Sequence, residues 1–308
     1  MSKIVAQVSR TVAIVSTVFE MLLKINTETL LLKAVHKKES SFVELPNGRL
    51  HYLRMGTGKR LLLCFHGYGN NAALFTAFES YLERDFTIIS IDLPHHGRSE
   101  WDEKVLLETQ DMVELVGQLT TTFGVQKISL LGYSMGGRVC LTIASLVPQY
   151  IDKILLIAPD GLVFNPFYYF VTRTFIGKNV FKSFLTRPGK YLNLIEWLHE
   201  KKWIDSSRYK FAMYYISSEK DRRFLLKVWP GMSNIVPDRR ELQAACKKYQ
   251  FPIFIFMGVY DRIIPVPHAE KFKRSFRNVH LFILEKGHRV FDATTLPEMA
   301  NCLIRETC

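Results

Sequence analysis

Gly132-Tyr133-Ser134-Met135-Gly136 follows the apolar run Ile128-Ser129-Leu130-Leu131 and precedes Gly137-Arg138-Val139-Cys140-Leu141-Thr142-Ile143-Ala144-Ser145, a stretch with helical character. A G-x-S-x-G sequence between a strand and a helix reads as a nucleophile elbow. The turn is tight enough that glycine is needed on either side of a strained serine. It lifts the serine oxygen clear of the backbone, and the helix N-terminus behind it favours developing negative charge.

Three further segments follow the same logic of an apolar strand that delivers a polar group at its end. Leu61-Leu62-Leu63-Cys64-Phe65 runs into His66-Gly67-Tyr68-Gly69, a turn able to present a backbone N–H. Pro252 to Met257 leads through Gly258 to Asp261, with Pro265 beyond it. Val279 to Leu284 leads through Gly287 to His288. In the order Ser, Asp, His, these segments resemble the α/β-hydrolase superfamily over residues 42–305, and neither the chymotrypsin nor the subtilisin order. The resemblance implies an α/β fold whose mostly parallel sheet has helices on both faces and an inserted helical cap.

The resemblance also assigns roles. Ser134 is the nucleophile, His288 its base and Asp261 the group that fixes the imidazole tautomer. Asp160, at the end of another strand, is the rival acid. The backbone N–H groups of Tyr68 and Met135 are the expected oxyanion donors. His66 is read as a support of its loop. In Asp92-Leu93-Pro94-His95-His96-Gly97-Arg98-Ser99, His95 replaces the first glycine of the commoner loop pattern. The paired histidines are read as turn residues, since no third ligand has suitable local spacing. No metal or other cofactor is expected; there is neither a phosphate-binding loop nor a dinucleotide fingerprint. Serine at the elbow disfavours the dehalogenases and epoxide hydrolases of this fold, which carry aspartate there. Carbon–carbon bond hydrolases keep the serine, and a non-catalytic lipid-binding member is a third reading.

Strands and amphipathic helices alternate along the rest of the chain, as a covered parallel sheet requires. Asn47-Gly48 reads as a hairpin turn. Helices are expected near 72–83, 104–123, 135–146 and 237–249. The rhythm breaks after Gly161 and returns near 236. The domain reading is therefore an N-terminal extension (1–40), a core (41–160 and 236–308) and a cap (161–235). The cap holds 17 of the 39 aromatic residues, and 13 Lys and Arg against 5 Asp and Glu, which supplies most of the chain's net charge of +12. Phe164, Phe167, Tyr168 and Phe170 are the candidate lining of an apolar pocket over Ser134. A basic outer face suits an anionic membrane surface, and no nucleic-acid-binding motif is present. The substrate expected is a small-molecule ester.

Ile4, Val8, Val12, Val15, Phe19 and Leu22 recur at helical spacing. That helix either packs on the protein or lies on a membrane surface; its apolar stretch is shorter than the ~20 residues a span needs. The five cysteines are odd in number, irregularly spaced and form no CxxC or zinc pattern, which fits a reducing, cytoplasmic setting.

Overall fold

The computed structural model describes residues 38–204 and 206–305. The helix expected in the N-terminal extension lies outside them. Nine strands form one sheet: β1 (Glu39–Leu45), β2 (Gly48–Met55), β3 (Arg60–Phe65), β4 (Phe86–Ile91), β5 (Glu100–Trp101), β6 (Ile128–Tyr133), β7 (Ile151–Ile157), β8 (Ile253–Gly258) and β9 (Val279–Leu284). Their order is β1-β2-β4-β3-β6-β7-β8-β9, with β5 against β2. From β4 to β9 every pairing is parallel, and β2 joins β4 antiparallel.

Both faces of the sheet are buried, which is why its central strands are apolar without alternation. Leu61, Leu63 and Phe65 pack on one side with Leu130 and Ile255. Leu62 and Cys64 point to the other, with Leu131, Phe254 and Phe256. Each such side chain is stabilising by about 1.5–3 kcal/mol relative to exposure.

Helices α1 (Thr109–Phe123), α2 (Met135–Leu146), α8 (Arg239–Tyr249), α9 (Val266–Ser275) and α10 (Leu296–Ile304) cover the sheet. The first begins five residues later than the apolar pattern suggests. A capping box fixes that start: the Glu108 side chain accepts from the backbone N–H of Asp111, and Asp111 Oδ2 accepts from Glu108 N at 2.8 Å. Residues 72–82 form a 3₁₀ stretch followed by one α-turn, where the sequence suggests a single helix.

Between β7 and α8 the described residues contain no strand but five α-helices, α3 (Pro166–Arg173), α4 (Phe175–Thr186), α5 (Leu192–Glu200), α6 (Ser206–Ser217) and α7 (Glu219–Gly231), and one 3₁₀ turn, Pro188–Lys190. They have a small core of their own, formed by Val171, Phe181, Leu185 and Leu225. Tyr68 packs against that core from the loop after β3, its ring 5.0 Å from that of Phe224. None of the described helices is long and apolar enough to cross a membrane. Cys64, Cys140 and Cys246 are buried thiols. Cys302 is disulfide-bonded, which the reading of a reducing setting did not include.

Candidate active site

β3 has β4 on one side and β6 on the other, so the chain's winding direction reverses between β3 and β6. In open α/β sheets, the crevice at the carboxyl ends of strands beside such a reversal is where ligands bind. Gly67 and Tyr68 leave β3 at this point, and Ser134 leaves β6.

Ser134 has φ 51° and ψ −116°, a left-handed conformation that costs a side-chain-bearing residue of order 1–3 kcal/mol. Close packing imposes it. A Cβ on Gly136 would stand 1.8 Å from Phe65 O, and one on Gly132 would stand 2.6 Å from Gly136 O. The turn can close against β3 only with glycine at both places. Ser134 N donates to Ile157 O at 2.9 Å, and Ser134 O accepts from Gly137 N and Asp160 N at 2.9 and 2.8 Å. The strained residue is thus held from three sides, with its side chain left at the surface of the crevice.

Ser134 Oγ lies 3.0 Å from His288 Nε2, and His288 Nδ1 lies 2.7 Å from Asp261 Oδ2. Three residues from separate strand ends are thereby joined in one hydrogen-bonded chain. Asp261 is 5% exposed. Burial raises its pKa, but the hydrogen bond from His288 and those from the N–H groups of Ile264 and Ile263 outweigh it, so the carboxyl sits below its usual range. The backbone donors act on Oδ1, at 2.8 Å from Ile263 and 3.0 Å from Ile264, which leaves Oδ2 to the imidazole. The loop carrying His288 is anchored by Val290 and Phe291, both in the core. The ring of Tyr133 lies 5.5 Å from that of His288. Such a chain can take a proton from the serine oxygen at His288 and hold the resulting imidazolium against a carboxylate.

Asp160, the rival acid, does not reach this chain. Its Oδ1 accepts from Gly161 N at 2.7 Å, and its Oδ2 faces Arg138 Nε at 3.6 Å. Met135 opens α2 directly after the serine. The Gly67-Tyr68 turn abuts the serine closely: a Cβ on Gly67 would meet Ser134 Cβ at 3.0 Å.

The histidines before and after β4 brace this turn. His66 Nδ1 donates to Gly67 O at 2.8 Å, and its Nε2 accepts from Leu93 N at 3.0 Å. Burial, then the neighbouring His96, lowers the His66 pKa to about 3, so the ring is neutral. His96 Nδ1 donates to Pro94 O and its Nε2 accepts from Gly69 N at 3.3 Å. His95 occupies φ 66°, the left-handed geometry for which glycine is the commoner choice.

Sequence reasoning missed a second hydrogen-bonded chain behind these loops, buried at Asp92 and His51. Asp92 accepts from the N–H groups of Ala72 and Arg98 and lies 2.7 Å from His51 Nδ1, while His51 Nε2 lies 2.8 Å from Ser40 Oγ. A carboxylate directly after an apolar strand was the available signal. It ties β2, the 72–82 segment and the 95–99 loop together.

The four aromatic pocket candidates do not line one cavity together. Tyr168, Val171 and Thr172 make the inward face of α3, and Tyr168 Oη donates to Trp229 O at 2.9 Å. Phe167 and Phe170 occupy the other face and are exposed. Phe164 and Tyr168 instead line a cavity of about 290 Å³ whose walls include Arg138 and Asp160 but none of Ser134, Asp261 and His288. A larger groove, about 1330 Å³, opens beside Tyr68 between the 95–103 loop and α7.

The comparisons bear on the fold and the family. Residues 60–292 match the family described by the alpha/beta hydrolase fold. The chain is 26% identical over 245 residues to the uncharacterized hydrolase YugF of Bacillus subtilis, covering 78% of this chain and 86% of that one. Among solved structures it resembles an esterase from Thermogutta terrifontis (TM-score 0.57, 20% identity, 86% of this chain and 93% of that one). It also resembles a 2-hydroxy-6-oxo-6-phenylhexa-2,4-dienoate hydrolase from Rhodococcus (TM-score 0.59, 20% identity, 86% and 98%). With its elbow serine in strained geometry at the switch point of a matching sheet, the chain belongs to the α/β-hydrolase fold family and is an enzyme.

Proposed function

We propose that the protein is a serine hydrolase that cleaves carboxylic esters with an apolar acyl or alkyl group. The observation that carries this reading is the hydrogen-bonded chain from Ser134 Oγ through His288 to Asp261. His288 Nε2 takes the hydroxyl proton as Oγ attacks the ester carbonyl. The N–H groups of Tyr68 and Met135 stabilise the oxyanion, each such donor being worth about 3 kcal/mol in the transition state. His288 then returns the proton to the departing alkoxide, and the alcohol leaves an acyl-enzyme. Water, deprotonated by the same imidazole, attacks that ester; the acid departs and Ser134 regains its proton.

Hydrolysis of p-nitrophenyl esters from acetate to palmitate, by wild type and Ser134→Ala in parallel, tests this. Activity that disappears in the variant is the expected result. A folded wild type inactive on every ester, or a variant as active as wild type, would overturn the reading. Carbon–carbon hydrolysis would need cations near Ser134 for the substrate carboxylates. Arg138 and the lysines of the insertion are the candidates for that role, and Arg138 faces Asp160 instead.

The helices of the insertion form a cap, and we infer that its outer face rests on anionic lipid. Phe175, Ile176 and Trp203 are 83%, 68% and 69% exposed, and Lys178, Lys182, Lys201 and Lys202 are exposed near them in sequence. Apolar side chains interleaved with lysines suit a headgroup surface, where each cation is worth about 1 kcal/mol. Binding to vesicles containing phosphatidylserine should weaken with added salt. Equal binding to neutral vesicles at every salt concentration would refute it.

A further inference from the structure

The cavity behind the elbow has a composition that neither packing nor the ester chemistry explains. Its floor is buried: Arg138, Leu242 and Phe272 are 5%, 1% and 2% exposed. Its mouth is open, framed by Phe164, Tyr169, Arg173 and Val236. The walls are mostly apolar, yet they include three guanidinium groups, Arg138, Arg173 and Arg239, against one carboxylate, Asp160.

The guanidinium at the floor is incompletely matched. Arg138 Nε is buried without a hydrogen-bond partner among the described residues, and Asp160 Oδ2 at 3.6 Å is beyond hydrogen-bond reach. The group lies 4.4 Å over the Tyr168 ring, a contact that stabilises its charge but leaves Nε unmatched. Keeping an arginine nine-tenths buried with one distant counter-ion is costly unless something else shares its charge. Arg239 is committed in part, with Nη2 donating to Ser275 Oγ at 2.8 Å. Arg173 stands exposed at the rim.

We propose that this cavity binds a small carboxylate with an apolar body, an aryl or medium-chain acid, at a site separate from Ser134. At about 290 Å³ it lies at the small end of ligand clefts, which typically run ~300–1,000 Å³. The apolar walls take the body, and the surplus of guanidinium groups takes the head, for which arginine's planar fork is well suited. The site is connected to the elbow. Arg138 lies one helical turn beyond Ser134 on α2, and Asp160, in the cavity wall, donates its N–H to Ser134 O. The acids released by ester hydrolysis are of this class, although the site itself does not depend on that reading.

The test is calorimetric titration of the full-length protein with 2-naphthoate and with the neutral 2-naphthalenemethanol. Wild type and Ser134→Ala should bind the acid equally, and at least tenfold more tightly than the alcohol. In Arg173→Gln/Arg239→Gln, which leaves only Arg138 for the head, the preference should fall at least threefold. Val236→Trp, which places bulk at the mouth without touching the buried floor, should block both ligands. The proposal is overturned by absence of binding to wild type, by equal affinity for acid and alcohol, or by a preference left undiminished by loss of both arginines. It is also overturned by competition between 2-naphthoate and an active-site phosphonate on Ser134 in a protein whose Val236→Trp variant still binds the acid.

Discussion

Replacing Asp261 by asparagine changes one atom's chemistry and very little of its shape. The amide oxygen can stay where the N–H groups of Ile263 and Ile264 donate, at 2.8 and 3.0 Å, so the loop keeps its form. The amide NH₂ then faces His288 Nδ1, where a carboxylate oxygen stood at 2.7 Å. An NH₂ group only donates, so Nδ1 must become the acceptor and the ring proton moves to Nε2. That nitrogen, 3.0 Å from Ser134 Oγ, can no longer receive the serine proton. The corresponding change in a serine protease lowers kcat by about 10⁴. At about 1.36 kcal/mol per factor of ten, this corresponds to about 5.5 kcal/mol of transition-state stabilisation. The assay is kcat on a p-nitrophenyl ester, with the urea midpoint as a check on folding. Asp160→Asn is the companion variant, and because Asp160 faces Arg138 it should retain activity within tenfold. A folded Asp261→Asn enzyme that keeps more than a tenth of its activity, or an Asp160→Asn enzyme that falls as far, would refute the assignment.

Two other consequences follow from close packing and from burial. Gly136→Ala puts a methyl group 1.8 Å from Phe65 O, a backbone atom of β3 that cannot swing aside; it should destabilise by at least about 1–3 kcal/mol and displace the elbow. Gly117→Ala on α1 meets nothing within 4 Å and should instead stabilise by up to about 1 kcal/mol, so similar urea midpoints for the two variants would contradict the packing argument. His66 predicts a pH effect. Its pKa, ordinarily 6.5, is lowered to about 3 by burial, so below pH 6.5 the unfolded chain takes a proton that the folded chain refuses. This group's contribution to stability is therefore complete above pH 6.5 and is lost as pH falls toward 3, by up to about 1.4 kcal/mol per unit. Urea midpoints at pH 7 and pH 5 should differ less in His66→Gln than in wild type, and an unchanged difference would refute it.

The core was legible because its constraints are local. An apolar run long enough for one strand and bounded by glycine admits few readings, and the elbow helix begins and ends where its sequence suggests, Met135–Leu146. The order of Ser134, Asp261 and His288 along the chain could be read without coordinates, because each follows its own strand. Their convergence could not be derived from any one segment. It depends on β6, β8 and β9 lying parallel, which brings residues more than a hundred positions apart to one edge of the sheet.

The insertion resisted the same reasoning for a physical cause. Residues 167–170 carry aromatics on more than one side of α3, so hydrophobicity alone does not distinguish an inward face from an outward one. Packing decides. Tyr168, Val171 and Thr172 share a face at spacings of three and four, and that face meets Trp229 and Arg138. Phe167 and Phe170 are left outside although each is more hydrophobic than Tyr168. The polar handle explains the choice: Tyr168 can bury its ring while its hydroxyl satisfies Trp229 O, and its face can lie against a buried guanidinium. Arg138 therefore helps select which aromatic turns inward. A residue that the sequence presents as an ordinary position of the elbow helix instead links α2 to α3.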